Sequence, residues 1–345
     1  MGTELETQAM RRAIEVARAE PRTLPNPRVG CVLLLPGATS LDDGVLAIGV
    51  HHGAGTAHAE VDALAQAGEA ARGATAVVTL EPCNHTGRTG PCTQALLDAG
   101  VARVVFGQGD PNPPAAGGAD VLRSAGVDVE AGVLAEEAEA LNVEWSFAVS
   151  HGRPFVTWKY AATLDGLSAA PDGTSQWITG PESRRDVHRL RAEADAIMAG
   201  TGSVLADDPR LTVRGDDDLP LPRERQPLRV VVGETPIPSH HRVHDHLAPT
   251  LLLPTRDPVA VLEALAEREL RHVWLEGGPR LAGAFWSAGL VDRVIGYLAP
   301  ALLGSGRAAM EGEASTLTDM RRLRLDDLTR VGDDIRIIGT PEGDG

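Results

Sequence analysis

Short apolar runs alternate with helix-like segments along nearly the whole chain, and that alternation restricts the fold to the α/β class. The spacing predicts a helix over residues 8–19, a buried strand over 29–35 after Pro25-Asn26-Pro27, a helix over 58–71 and a strand over 76–80. A helix over 92–99 and a strand over 103–106 follow. A loop rich in Gly, Ala, Pro and Asn over 107–118 then leads to one more helix and strand reaching Val133, and a connecting helix is expected over 136–148. Ser150-His151-Gly152-Arg153-Pro154 interrupts the pattern, so two domains are expected, 1–149 and 150–345. A length of 345 residues agrees, because it exceeds what a single core usually holds. In the second block strands are expected over 155–160, 196–199, 228–232, 250–253, 272–275 and 293–298, with helices such as 181–193 and 258–268 between them. Residues 215–227, with three consecutive aspartates and three prolines, read as a solvent-facing insertion, and 339–345 as a tail.

Charge narrows the function. The chain carries 32 Lys+Arg against 48 Asp+Glu, a net charge of −16, which repels a phosphate backbone and an anionic membrane alike. Neither nucleic acid nor membrane is an expected partner. The first nineteen residues are charged throughout and lack the apolar core of a secretory signal, and no run approaches the roughly 18 apolar residues of a membrane span. A cytoplasmic location is expected. Three cysteines point to thiol or metal chemistry rather than to a disulfide framework. Lys159 is the only lysine; the remaining basic residues are arginine.

The sharpest constellation is His58-Ala59-Glu60, then Pro82-Cys83, then Cys92. One imidazole and two thiolates give a zinc ion three ligands and leave the fourth position to water, as a catalytic site requires. Glu60, two residues from His58, is then free to move protons. Both ligand segments lie where a loop enters an expected helix, whose N-terminus helps keep Cys83 a thiolate, and zinc lowers the pKa of the water it binds. This order is that of zinc deaminases, which attack an amidine-like carbon with an activated water and use a non-ligand Glu as the proton shuttle. Eight residues instead of two separate the cysteines. Cys31, inside the apolar run 29–35, reads as core packing.

The stretch from Glu81-Pro82-Cys83-Asn84-His85 through Gly90-Pro91-Cys92, together with His58-Ala59-Glu60, resembles the deaminase domain of the bifunctional riboflavin biosynthesis proteins. Asn26-Pro27-Arg28-Val29-Gly30 and Asp110-Pro111-Asn112-Pro113 match two further blocks of that family. The resemblance implies a cytidine-deaminase-like α/β/α domain over 1–149. It also implies that Asn26, His51, His85, Arg88, Asp110 and Asn112 hold a pyrimidine and its ribose phosphate.

In the second half no full dinucleotide fingerprint appears. Gly200-Thr201-Gly202-Ser203-Val204-Leu205 lacks the third glycine, and Gly304-Ser305-Gly306-Arg307-Ala308-Ala309 reads as a tight turn. Four blocks instead resemble the reductase domain of the same family, which is similar to dihydrofolate reductase. They begin at Lys159-Tyr160-Ala161, Ser175-Gln176-Trp177, Gly200-Thr201-Gly202 and Glu276-Gly277-Gly278. The resemblance implies an α/β reductase domain over 150–345 with NADPH as cofactor. Substrate would meet Ser175, Arg191, Leu211, Arg214 and Glu276. NADPH would meet Ala161, Trp177, Ser203, Asp207 and the run Gly278, Pro279, Arg280, Leu281, Ala282, Gly283 and Ala284. Leu167 stands where the family commonly has a basic residue, and Gly233-Glu234 where an Asp-Ser pair is usual. A Glu234 pointing inward would repel the cofactor's 2′-phosphate.

Lys159 is the candidate catalytic residue of this half, placed by the pattern at a strand end. A chain that otherwise uses arginine gains from one lysine a compact ammonium whose pKa can be adjusted. The expected activity is deamination of a diaminopyrimidine ribotide by the first domain, with zinc and Glu60, and reduction of its ribosyl group by the second. Small molecules are then the partners. A homo-oligomer is also expected, from an apolar strand edge placed at 291–298. The rival readings are a base deaminase fused to an inert reductase-like domain and a zinc-stabilised nucleic-acid module, the latter opposed by the charge.

Overall fold

A computed structural model describes residues 2–21, 23, 25–85, 90–312 and 314–342. The chain divides into two compact units, Met1–Gly152 and Arg153–Gly345.

The first unit is a five-stranded sheet between two helical layers. Helix α1 (Glu4–Ala19) starts in a capping box, Thr3 accepting from Glu6 N–H while the Glu6 carboxylate accepts from Thr3 N–H. Its buried stripe Ala9, Met10, Ala13, Ile14 and Ala17 covers one face of the sheet. Strands β1 (Gly30–Leu34) and β2 (Val45–Val50) pair antiparallel, with the short helix α2 (Leu41–Gly44) between them. Then come α3 (Ala59–Ala67), β3 (Thr75–Leu80), α4 (Cys92–Asp98), β4 (Arg103–Gln108), α5 (Gly118–Ser124) and β5 (Asp128–Ala131). The strand order is β2-β1-β3-β4-β5, the last three parallel. Because side chains alternate along a strand, Cys31 and Leu33 face α3, α4 and α5, while Val32 and Leu34 face α1.

Three local readings are corrected here. β2 was not expected from the sequence. The helix expected over 58–71 ends at Ala67 and continues only as a single 3₁₀ turn to Ala71, His58 standing just before it as the cap residue. The connecting helix expected over 136–148 is two helices, α6 (Ala135–Glu139) and α7 (Val143–His151). The break falls at Asn142, whose side-chain amide binds both backbone groups of Arg28, at 2.8 and 2.9 Å, and so is drawn toward the chain entering β1.

The second unit is built on an eight-stranded sheet. Strand β6 (Phe155–Thr163) is followed by β7 (Leu167–Ala169), helix α8 (Pro181–Arg191), β8 (Ala196–Gly200), α9 (Thr201–Asp207), β9 (Leu228–Val232) and β10 (Thr250–Leu253). Next come α10 (Pro258–Ala266), β11 (His272–Leu275), α11 (Pro279–Ser287), β12 (Arg293–Ala299) and β13 (Arg307–Ala308). A hairpin of β14 (Leu323–Val331) and β15 (Asp334–Pro341) ends the described chain. The order is β10-β9-β8-β11-β6-β12-β15-β14, six parallel strands with the antiparallel hairpin added at one edge. Helices α10 and α11 pack on one face through Val261, Leu262, Leu265 and Phe285, and α8 and α9 on the other through Val187 and Val204.

The hairpin corrects two readings. β15 takes up residues 339–341 of the expected tail, and β12 lies between β6 and β15, so the apolar run 291–298 is interior and offers no free edge. Its hydrophobicity is that of a strand buried between neighbours. Part of the expected insertion is also tied down: Gln226 is buried and its amide binds Val213 through both backbone groups, at 2.8 and 2.9 Å. Gly304–Gly306 is a turn with no helix after it.

Candidate active sites

In the first unit the loop after β3 and the starts of α3 and α4 meet. Two close approaches permit it. A Cβ on Gly49 of β2 would lie 2.1 Å from the Ala59 carbonyl oxygen, and one on Gly118 would lie 1.8 Å from that of Pro82. Only glycine lets α3 and the Cys83 loop sit so close to their supports. His58 Nδ1 then stands 3.1 Å from Cys92 Sγ and 3.5 Å from Cys83 Sγ, and the Cys92 N–H points at Cys83 Sγ at 3.5 Å. The three ligand atoms lie within 4.8 Å of one another, with both thiols buried. One borderline nitrogen and two sulfur donors converging in this way fit a tetrahedral zinc with one position left over.

Glu60, one residue into α3, is 3% exposed. Burial, reinforced by the neighbouring Cys83 thiolate, pushes its carboxyl up to about 7. The hydrogen bond from Cys92 holds Cys83 well below the usual thiol range, while the same contact and burial push Cys92 up.

Around this centre the structure brings several expected residues together. His51 Nδ1 donates to the Ala57 carbonyl at 2.9 Å, its Nε2 meets Asn26 Nδ2 at 3.0 Å, and its ring stands edge-on to His58 at 5.2 Å. Asp110 accepts from Asn112 N–H at 2.8 Å, and burial raises its carboxyl to about 6. His85 Nδ1 is buried without a hydrogen-bond partner among the described residues. Arg88 lies outside them. Sequence reasoning missed Glu81, whose carboxylate accepts from the N–H groups of Asp110 and Ala119 and so fixes the loop over the site. Its place next to Pro82-Cys83 was the available signal.

In the second unit Lys159 is in the middle of β6, not at its end, because pairing with β12 continues from Thr157 to Thr163. Its ammonium lies 6.0 Å from the centroid of the Tyr297 ring. Burial lowers its pKa, opposed by Glu276. Glu276, which directly follows β11, takes Arg191 Nε at 2.7 Å and pairs with Arg191 Nη2 and Trp274 Nε1. Burial pushes this carboxyl up, but Arg191 and Lys159 overcome it and hold Glu276 at about 2.

Arg191 Nη1 also donates to the Thr212 carbonyl at 3.1 Å. The backbone N–H of Arg214 donates to His188 Nδ1 at 3.3 Å, and the Arg214 guanidinium pairs with Asp218 in solvent. Leu211 is buried at φ +48° between α9 and the Arg214 segment. Sequence reasoning missed His188, three residues before Arg191 and so on the same face of α8.

The expected cofactor positions divide. Ser203 of α9 accepts the Gly278 N–H at 3.1 Å, which joins the glycine turn before α11 to the start of α9. Beyond this contact, among the described residues no side chain accepts from the first N–H groups of α11, which begins with Pro279 and continues through Arg280 and Leu281. A Cβ on Gly277 would come within 2.8 Å of Leu281. This bare turn at a helix N-terminus fits a dinucleotide pyrophosphate. Ala282 and Gly283 instead face the interior, a Cβ on Gly283 falling 1.8 Å from the Glu311 carbonyl oxygen; Ala284 is partly exposed one residue later. Ala161 lies on β6 two residues beyond Lys159, and Asp207 ends α9. Trp177 is 69% exposed, with the Arg184 guanidinium 4.6 Å from its ring centroid; Ser175, two residues before it, is half-buried.

Comparison with known proteins matches both halves. The family model described as the cytidine and deoxycytidylate deaminase zinc-binding region covers residues 3–108, and the RibD C-terminal domain covers 154–337. Riboflavin biosynthesis protein RibD of Mycobacterium tuberculosis is 47% identical over 331 residues, 95% of each chain. The chain belongs to the RibD family. It is a bifunctional enzyme of riboflavin biosynthesis, a zinc-binding deaminase followed by an NADPH-dependent reductase. Among solved structures, Acinetobacter baumannii RibD has a TM-score of 0.89 at 37% identity, covering 98% of this chain and 99% of that one. A Thermotoga maritima protein has a TM-score of 0.87 at 32% identity, with the same coverage. It is described as a diaminohydroxyphosphoribosylaminopyrimidine deaminase and 5-amino-6-(5-phosphoribosylamino)uracil reductase. A deaminase joined to an inert second domain is not favoured, since both halves match the family. Among the described residues no helix is long and apolar enough to cross a membrane.

Proposed function

We propose that residues 1–149 deaminate 2,5-diamino-6-(ribosylamino)pyrimidin-4-one 5′-phosphate at C2, and that residues 150–345 reduce the ribosyl group of the product to ribityl with NADPH. The convergence of His58, Cys83 and Cys92 beside a buried Glu60 carries the reading. Zinc in that triad supplies Lewis acidity and an activated water. Glu60 takes a proton from the water and returns it to the departing amine, so that ammonia leaves as the C2 oxo group forms. Asn26, His51 and Asn112 hold the heterocycle, and His85, Arg88 and Asp110 its ribose phosphate.

In the reductase half the turn from Gly278 and Ser203 would hold NADPH, which would supply the hydride for C1′ of the open-chain imine while the amine nitrogen takes a proton. Lys159 contacts the ribose oxygens and assists ring opening, with Glu276 oriented beside it by Arg191 and Trp274. Ser175, Leu211 and Arg214 complete the substrate side. Trp177, Ser203, Asp207 and the turn from Gly278 line the cofactor side. The enzyme acts in the cytoplasm and as a homo-oligomer whose contact lies elsewhere than β12, which is interior.

The product mass tests the reading. Given the diaminopyrimidine ribotide, zinc and NADPH, the purified protein is expected to yield a product with both an amine-to-oxo exchange and two added hydrogens. Exchange alone would remove the reductase half of the proposal, and an unchanged mass would remove both.

A further inference from the structure

The carboxyl ends of three parallel strands lie side by side, with Gly200 of β8 opposite Val232 of β9, and Val232 opposite Leu253 of β10. In an open parallel sheet such ends border the ligand cleft. With a pyrophosphate at the turn before α11 and the nicotinamide directed to Lys159 on β6, one neighbour of β11, the adenosine half of a dinucleotide is left the other side, past β8 and β9 toward β10. That path covers two to three strand spacings, roughly 10–14 Å. The first charged side chains beyond β9 and β10 along it are Glu234 and Arg256, which pair at 3.1 Å from Glu234 Oε2 to Arg256 Nε.

The backbone brings the two together. Gly233 N–H and Thr255 N–H both donate to the Leu253 carbonyl, at 3.0 and 2.8 Å. Gly233 has φ +134°, and a Cβ there would come within 2.4 Å of Thr201 Oγ1. The turn carrying Glu234 is therefore pressed against the first residue of α9, on the cleft side of the sheet.

We propose that Arg256 reads the 2′-phosphate of the reductase cofactor and that Glu234 is the counter-ion this phosphate displaces, so that the pair sets the preference for NADPH over NADH. The proposal rests on the reading of the second unit as an NADPH-dependent reductase. Both side chains are exposed, 78% and 60%, and an exposed ion pair is worth only about 0–1 kcal/mol, so exchanging its carboxylate for a phosphate loses little. A guanidinium binds a phosphate through two parallel, charge-assisted N–H···O bonds, so the incoming phosphate replaces the Nε contact to Glu234 with a stronger one. NADH presents a neutral hydroxyl there and leaves the Glu234 pair intact. Glu234 thus limits affinity without abolishing it.

The test uses the full-length protein without substrate, titrated calorimetrically with 2′,5′-ADP and with 5′-AMP. Wild type is expected to bind 2′,5′-ADP the more tightly. Arg256→Ala should weaken 2′,5′-ADP about tenfold while leaving 5′-AMP within about twofold, Arg256→Lys should restore part of the loss, and Glu234→Gln should tighten 2′,5′-ADP severalfold. An Arg256→Ala protein with the wild-type ratio of the two dissociation constants would overturn the proposal. Wild type that binds neither nucleotide nor NADPH would overturn the reductase reading itself, a distinct result.

Discussion

Glu276 keeps its charge in surroundings that would otherwise suppress it. Its carboxyl is drawn down to about 2, from 4.5 in an unfolded chain, although burial acts the other way. A depressed carboxyl contributes stability that is fully present above the unfolded value and is lost as pH falls through the folded one. Between pH of about 4.5 and about 2 the second unit is therefore expected to lose stability through this group, and Glu276→Gln should flatten that limb of a Tm-against-pH curve. His188 acts in a higher window. Burial, with Arg191 next, lowers it to about 4 from 6.5, so the unfolded chain binds the proton first and stability falls as pH drops from about 6.5 to about 4. His188→Asn should remove that slope in the same measurement. Lys159→Arg keeps a cation but removes the adjustable pKa; reductase turnover should fall at least about tenfold with deamination intact. Full turnover in this variant would leave Lys159 a positioning role only. Composition made Lys159 legible, since it is the only lysine. His188 was not legible, because the hydrogen bond that sets its role comes from Arg214, on a segment 26 residues away.

Helix α8 shows what an element needs beyond its own sequence. Its cap residue is Gly180, which has no side chain to satisfy the first turn. Asp334 of β15 does so from outside, accepting Gly180 N–H at 2.8 Å and Ser183 Oγ at 2.6 Å. Asp334→Ala takes the acceptor from Gly180 N–H and leaves Ser183 Oγ only the Val331 carbonyl at 3.5 Å, and is expected to cost about 1–3 kcal/mol. Because α8 carries His188 and Arg191, reductase activity should fall by more than the stability loss alone explains, a split read by comparing Tm with kcat. The sequence could not announce this cap, since the two partners are some 150 residues apart. The C-terminal hairpin was missed for a related reason: β14 is mostly exposed, and its charged residues Arg324, Asp326, Asp327 and Arg330 obscure the apolar alternation of an edge strand. The strands buried on both faces, such as β1 and β9, were found because their apolar runs are uninterrupted.

At the scale of the molecule, the two compact units hold separate chemistries on separate cores. A ligand that binds only folded protein stabilises it by mass action. Chelating the metal is therefore expected to lower the unfolding temperature of the first unit and to abolish ammonia release, while NADPH-dependent reduction of pre-deaminated substrate persists; differential scanning calorimetry with both assays checks it. The division into two α/β blocks was legible from the break at 150–154. Strand order was not, because crossover connections let sequential parallel strands land apart, so an apolar run such as 291–298 reads equally as an edge or as the interior strand that β12 is.

The position of Lys159 has an experimental consequence. With one lysine in the chain, partly buried on β6 near the Tyr297 ring, the protein presents no other ε-amine to an acylating reagent. Amine labelling, which on most proteins yields a blur of surface products, here has one side-chain target beside the α-amine, and following the Lys159 peptide by mass makes it a clock. Its rate reports whether the reductase cleft is open or filled, without a substrate, a chromophore or an engineered tag.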